Sequence, residues 1–537
     1  MPVLLATSRS LPPEGRYDHW CALPGARRTP GPDKELPDLA AVLEEALAAI
    51  GPAWLTLGKR LSAEPSAVLA HTPSCAGNLS DLGLMLAWTR IAQERARAPE
   101  TLLLVCDDPW MFRHLARLLP VAVGKPPPLW PREWSLAARG VLARLSYALR
   151  AAAARVKLMH QRALTTPGQA ALLVYGHPAS TADGQDGYFG TLMAEMPGIQ
   201  RVLHVDCPPG RARDLAADGR TASLHAWGGL GDAWRLPLAR WRPAEARQPN
   251  PLHWLIRRAA ALEGGTGTAA AVAWQRACQA RWLAAARPRV VAWPWENHGW
   301  ERALVRAARA AGTRTVGYQH ATVGRTEWNY APGSNPDGAA SLPDRVLCAG
   351  AVWRDTLLAL DHAPDRIAVG GAWRMSSAVS VAHDPAHDPA GPVFVALPFD
   401  LGVAAEMVAA LSDPALAGRR FLVRPHPMTP APVPEAANID LAERPLAAQD
   451  GIAAVLYAAT SVGLEAILAG LPTLRFRPRR SVPMDILPAG VEVPTVDAAG
   501  LAAALADPAP PPALDPAAVF APVDRDTWSA ALGAGGG

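Results

Sequence analysis

The chain is built on short apolar runs rich in β-forming residues, separated by helix-length segments. Thr101–Cys106, Ala171–Tyr175, Arg201–Val205, Val290–Trp293 and Thr315–Tyr318 are such runs. Arg345–Cys348, Ile367–Val369, Val393–Leu397, Phe421–Val423, Ile452–Leu456 and Thr473–Phe476 continue the series. Most show little polar alternation, as expected of strands buried on both faces. Several of the intervening stretches, such as Leu82–Ala98, Ala269–Arg287 and His298–Ala311, carry helical patterns. Strands joined in this way pair in parallel, which predicts a doubly wound α/β sheet. Val3–Thr7 and Trp54–Leu57 also read as strands, and Leu39–Ile50 reads as a helix ended by Gly51-Pro52.

The chain has 537 residues, enough for several domains. Pro126–Pro128 breaks the rhythm, and Leu136–Leu164 reads as a helical insertion or hairpin, placing an insertion at about 126–168. The expected division is a first domain over 1–343, a second over 344–510, and a Pro/Ala/Gly-rich tail over 511–537. The formal net charge is only +4, and no basic run interleaved with aromatics is present, which argues against nucleic acid as a partner. The six cysteines show no CxxC spacing, so neither zinc nor a redox pair is expected. His383 and His387 lie four apart, but their Pro-rich loop argues against a metal pair. No metal or cofactor is expected. The N-terminus lacks a positive segment leading into an apolar core, and no apolar run reaches ~18 residues. A cytoplasmic location is therefore expected. Peripheral contact with the inner face of the cell membrane is a further expectation.

Two clusters carry the chemistry. In the second domain, Arg424 and His426 follow a strand within Arg424-Pro425-His426-Pro427. Thr460 and Ser461 open a helix after the next strand, with Glu465 one turn in. A guanidinium fork, an imidazole and helix-start amides suit a phosphate, and Glu465 could accept from ribose hydroxyls. An ordinary reading also exists: Ser461 as helix cap, Glu465 as dipole partner, Arg424 in a surface ion pair. In the first domain, Glu296 follows a strand and precedes a helix, and His320 follows the next strand. A carboxylate there suits a general base acting on a hydroxyl. Asp186, in the loop 176–189, is a second candidate base or else a helix cap. Asp107-Asp108-Pro109 reads better as a strand-end turn with a cap than as a metal-binding acidic pair.

These residues resemble bacterial surface carbohydrate biosynthesis proteins of the two-domain glycosyltransferase-B type. The resemblance rests on Glu296, Asn297, Trp300, Glu301, Ala303, Leu304, Gly317, His320, Thr322 and Val323. Gln319-His320 and His426-Pro427 are similar to the QH and HP motifs of capsule transferases that use CMP-activated acidic sugars. Ser461, Gly463, Glu465, Ala466, Gly470 and Pro472 are similar to a donor-domain segment of such transferases. The likeness covers roughly residues 170–480. The family's acidic-pair-plus-glycine base motif is only approximated by Asp183-Gly184 and Asp186-Gly187.

The resemblance implies two Rossmann-like domains facing across a cleft and a metal-independent glycosyl transfer. The donor would be a nucleotide-sugar, CMP-linked on the motif likeness, and the acceptor a surface polysaccharide or glycolipid. Arg424, His426, Thr460, Ser461 and Glu465 would hold the nucleotide, and Glu296, Asp186 or His320 would serve catalysis. Three rival readings stand beside it: a CDP-polyol phosphotransferase, a nucleotide-sugar epimerase, and a non-catalytic scaffold for glycan assembly.

Overall fold

The computed structural model describes residues 3–119, 122–373, 389–427, 429–479, 481–484 and 486–533. His383 and His387 lie outside them. Among the described residues three sheets form, and every pairing between their strands is parallel.

The first sheet holds β1 (Val3–Ala6), β2 (His19–Ala22), β3 (Leu102–Val105) and β4 (Ala122–Val123), in the order β2-β3-β1-β4. The second has seven strands: β5 (Ala170–Val174), β6 (Ile199–Leu203), β7 (Thr221–Ser223), β8 (Val290–Pro294), β9 (Arg314–Gln319), β10 (Arg345–Cys348) and β11 (Ile367–Val369). Its order is β11-β10-β9-β8-β5-β6-β7. The third has six: β12 (Val393–Ala396), β13 (Phe421–Arg424), β14 (Ile439–Leu441), β15 (Ala454–Tyr457), β16 (Thr473–Phe476) and β17 (Thr495–Val496). Its order is β14-β13-β12-β15-β16-β17.

Counted from its own first strand, the six-stranded sheet runs 3-2-1-4-5-6, the Rossmann order. The seven-stranded sheet has the same order with one strand added at its far edge. The expected α/β class with two Rossmann-like sheets is therefore what the chain forms. In each sheet the strand order reverses between strands one and four. That places a crevice at the carboxyl ends of β5 and β8 in one sheet, and of β12 and β15 in the other.

Sheet membership divides the chain differently from the expected boundaries. β10 pairs onto β9 and β11 onto β10, so a cut after residue 343 would split the seven-stranded sheet. The first strands form a sheet of their own, with a separate apolar core around Trp54, Trp88, Met111 and Phe112. Trp54–Leu57 is not a strand but part of the helix Gly51–Ser62. Pro52 stands in the first turn of that helix, where its missing N–H costs nothing. Gly51, Trp54, Leu57, Gly58 and Leu61 are its buried residues, spaced as one helical face.

The expected helical insertion is one long helix, Trp130–Leu158, followed by a 3₁₀ segment, Met159–Leu164. Leu136, Gly140, Arg144, Ala148, Ala151, Ala154 and Leu158 form its narrow buried stripe. A Cβ at Gly140 would sit 1.9 Å from the Gly264 carbonyl oxygen, so glycine is needed where this helix meets the helix His253–Gly264. The tail also departs from expectation. Pro516–Val519 and Arg525–Leu532 are helical, and Trp528 is fully buried in the core of the seven-stranded layer. One continuous apolar cluster runs from Trp293 and Trp353 to Phe394, Val455 and Tyr457, joining the two larger sheets.

Candidate active site

The loop after β8 carries an extensive hydrogen-bonded polar group. Asn297 takes a left-handed conformation, φ 58°. Asparagine tolerates this better than most residues because its side chain can bond locally. Here its amide donates to the Asn329 carbonyl at 2.8 Å and to Asn335 Oδ1 at 3.0 Å. The Asn329 amide donates to the Glu296 carbonyl at 2.8 Å. The chain therefore doubles back between Glu296 and His298, and their side chains meet: Nε2 of His298 lies 2.8 Å from Oε2 of Glu296.

The helix Gly299–Ala310 begins at this turn. Glu301, buried in its first turn, accepts from the backbone N–H of Glu296 at 3.1 Å and of His298 at 3.0 Å. Arg302, also buried, donates to the Asn297 carbonyl at 3.0 Å and to the Ser334 hydroxyl at 2.7 Å. The N–H of the N-cap residue His298, one of the orphan donors of a helix start, is thus met by the Glu301 carboxylate.

His320, at the end of β9, places Nε2 3.7 Å from the other Glu296 oxygen. His71, from the first layer, meets His298 edge-on at 5.6 Å between ring centroids. Burial alone would raise Glu296, but the hydrogen bond from His298 and the charges of His298 and His320 bring it down to about 2. Burial would lower His298, yet the hydrogen bond to Glu296 and the Glu296 and Glu301 charges raise it above its ordinary 6.5. Burial, followed by the His298 charge, drops His71 to about 4, so it is neutral at pH 7. Burial pushes Glu301 up to about 8 against the opposing charge of His298. The Glu296 side chain keeps 31% of its surface exposed, while His298 keeps 6% and His320 7%. One carboxylate therefore faces outward from a frame of imidazoles.

Aromatic rings line the same strand ends. Tyr188 packs edge-on to His320 at 5.2 Å and to His177 at 5.4 Å. Tyr175, just past β5, lies 5.9 Å from Tyr188 and stacks on His204 at 4.3 Å. Glu296 and Tyr175 stand at the ends of β8 and β5, the two strands between which the order reverses.

Asp186 does not join this group. It is 1% exposed and accepts from the backbone N–H of Tyr188 at 2.9 Å and of Phe189 at 3.2 Å. Its other oxygen lies 3.7 Å from Nη1 of the buried Arg201. These contacts make it the organiser of its own turn, and the structure turns it away from a role as base. Asp108 is likewise a cap, accepting from Trp110 and Met111 N–H groups and pairing with Arg258 at 2.6 Å.

On the six-stranded sheet, Arg424 and His426 follow β13, while Thr460 and Ser461 follow β15. β12 lies between those strands, so the two groups stand two strand spacings apart, about 10 Å, along one edge. The Arg424 guanidinium is half-buried and makes one long contact, Nη1 to the Glu443 carbonyl at 3.4 Å. His426 packs edge-on against Phe399, which follows β12, at 5.6 Å, and burial lowers its pKa. The helix opened by Ser461 is only seven residues, Val462–Leu468. The Ser461 hydroxyl donates to Glu465 Oε1 at 3.3 Å and does not cap a backbone N–H. Thr460 Oγ1 receives the Val462 N–H at 3.5 Å.

Two residues of the Glu296 frame were not singled out by the sequence as site residues. His298 had been read only as the start of a helix. His71 lies in another layer, and no local pattern marks it.

No protein-family model and no curated protein matches the chain. Solved structures do align with it. UDP-N-acetylglucosamine 2-epimerase from Rickettsia bellii aligns over 57% of this chain and 79% of its own, at 10% identity and a TM-score of 0.34. The glycotransferase of kitacinnamycin aligns over 64% and 90%, at 14% identity and 0.36. The spinosyn rhamnosyltransferase SpnG aligns over 59% and 81%, at 16% identity and 0.31. TM-scores this low carry no argument about this chain; the strand orders above carry the fold. Among the described residues no single helix is long and apolar enough to cross a membrane, and no group of three or more His, Cys, Asp or Glu could hold a metal ion.

Proposed function

We propose that this chain is a glycosyltransferase that moves a sugar from a nucleotide-linked donor to a hydroxyl acceptor without a metal. The observation that carries the reading is the outward-facing Glu296 carboxylate, held ionised by the hydrogen bond from His298, with His320 3.7 Å away, at the reversal point of a Rossmann-type sheet. A second Rossmann-type sheet in the same chain supplies a separate place for a nucleotide. The acceptor belongs at the β5/β8 end, the donor at the β12/β15 end.

A carboxylate at about 2 is a weak proton acceptor by itself. Its role is to stabilise the positive charge that forms on the imidazole beside it when that ring accepts the acceptor's hydroxyl proton. His320, in contact with Glu296, takes the proton. The acceptor oxygen then bonds the anomeric carbon as that carbon's bond to the phosphate oxygen breaks, through oxocarbenium-like character. The electron pair leaves with the nucleotide phosphate, which Arg424 and His426 stabilise. The CMP class of donor, and a surface polysaccharide or glycolipid acceptor, follow from the motif likeness of Gln319-His320 and His426-Pro427.

The test is a thermal-shift panel of CMP, CDP, UDP and GDP, followed by a transfer assay with the sugar of the stabilising nucleotide. A shift with one nucleotide and acceptor-dependent release of it is the expected result. Turnover of the nucleotide-sugar without any acceptor would replace transfer by epimerisation. A product retaining the phosphate would make it a polyol-phosphate transferase. Binding without any turnover would leave the scaffold reading.

A further inference from the structure

The long helix Trp130–Leu158 leaves a broad apolar face uncovered. Trp130 and Trp134 are each 70% exposed, Leu142 66%, Leu149 63% and Val156 59%. At 3.6 residues per turn these positions, with Val141 and Leu145, fall within an arc of about 120°. That arc borders the inward-packing stripe at Trp130 and Ala148 and turns away from it on the other side. Trp234 and Leu238, 80% and 73% exposed, extend the apolar surface from a neighbouring segment. The segment is tied to the helix by Arg144 Nε, which donates to the Pro237 carbonyl at 3.0 Å.

The charges beside this face are almost all of one sign. Arg132, Arg139, Arg150 and Lys157 lie along one edge of the stripe, and Glu133 is the helix's only acid. On the other side is a cavity of about 610 Å³, lined by Arg144, Arg240, Arg242, Arg247, Arg257 and Glu133 among others. Glu133 is committed to Arg257, at 2.7 and 2.8 Å. Burial and the charges of Arg242 and Arg247 push Arg240 down, and burial with Arg240 and Arg242 does the same to Arg144. Guanidiniums gathered at mutual cost attract an anion. Trp and Leu side chains projecting beside them suit an interface that is apolar within and anionic at its surface.

We propose that this face docks the protein on an anionic phospholipid bilayer. The helix lies in the plane of the headgroups, its Trp/Leu stripe enters the acyl boundary, and the arginine-lined cavity receives lipid phosphates. This charge complementarity selects an anionic lipid surface over a second copy of the chain, since two such faces would bring like charges together.

Flotation of the full chain with vesicles tests the idea. Phosphatidylcholine vesicles containing phosphatidylglycerol should bind at least ~10-fold more protein than phosphatidylcholine alone, and added salt should weaken that binding. The triple variant Trp134→Ser, Leu142→Ser, Leu149→Ser changes exposed side chains only, so it should keep its circular dichroism and melting temperature yet lose ~10-fold or more in binding. Arg240→Gln with Arg242→Gln should lose the preference for anionic vesicles. Equal binding to both vesicle types, or none, overturns the proposal. So does a concentration-dependent dimer in sedimentation that the triple variant abolishes, which would assign the face to a second copy. Neither readout depends on the transfer reaction, so the proposal stands or falls separately from it.

Discussion

His298 and Glu296, two residues apart, form a hydrogen-bonded pair of 2.8 Å because the left-handed Asn297 between them turns the chain back on itself. The pair fixes opposite shifts, with Glu296 held down and His298 held up. Removing the carboxylate takes away the hydrogen bond and the larger charge that raise His298, leaving the Glu301 charge against burial and Arg302, which lower an imidazole. In Glu296→Gln the His298 pKa should therefore fall below its ordinary 6.5, read by NMR titration of the ring. A His298 pKa unchanged by the substitution would show that Glu296 does not set it. In the transfer assay the same variant should lose ~10²-fold or more in kcat, on the scale of removing a preorganised stabilising group.

Glu301 gives a pH signature of its own. Burial raises it to about 8, while in the unfolded chain it titrates near its ordinary 4.5. Between those values the folded state holds a proton that the unfolded state releases, so stability falls as pH rises through the window. His298, raised above 6.5, adds a loss of the same sign at higher pH. Glu301→Gln keeps an oxygen for the Glu296 and His298 N–H groups but cannot titrate. Denaturation midpoints of the variant should be flatter than those of the parent from about pH 4.5 to 6.5. An unchanged slope would mean that Glu301 is ionised in the fold.

Much of the scaffold was legible because its strands are nearly continuous apolar runs. Val290–Pro294 and Ala454–Tyr457 are wholly buried, and their sequences admit little else. Trp54–Leu57 misled because four residues are too few to separate a period of two from one of 3.6. The wider set Trp54, Leu57, Leu61 decides for helix. Strand-end position was enough to place Glu296 and His320 side by side. Asp186 looked equivalent from its loop, yet whether a carboxylate faces a cleft or caps its own turn depends on which N–H groups reach it. His71 was out of reach, since it arrives from a separate sheet layer.

The C-terminal segment shows the same limit of composition. Its Pro and Ala content suggests a loose tail, but Trp528 is fully buried and donates to the Gly370 carbonyl at 2.9 Å. Its ring meets Tyr318 at 5.4 Å and Phe189 at 5.7 Å, behind the strand that leads into His320. Trp528→Ala should cost about 3–5 kcal/mol in a denaturant titration. A loss under ~1 kcal/mol would mean that the segment does not dock as described.

At the six-stranded sheet the proposed clamp predicts both an affinity and a proton. Arg424 makes one long contact, so its guanidinium has donors to offer a phosphate. A charge-assisted hydrogen bond contributes about 1.5–3 kcal/mol, so Arg424→Ala should weaken nucleotide binding by about 10- to 100-fold. His426 is lowered by burial, which leaves it mostly neutral at pH 7 in the free protein. An anionic phosphate beside it favours the charged imidazole and raises its pKa. Binding is then linked to proton uptake, so affinity should increase as pH falls from 8 towards 6. Calorimetry in buffers of different ionisation enthalpy would read that uptake, and His426→Ala should abolish it while leaving the melting temperature unchanged. Uptake that persists in the variant would place the titrating group elsewhere and take His426 out of the clamp.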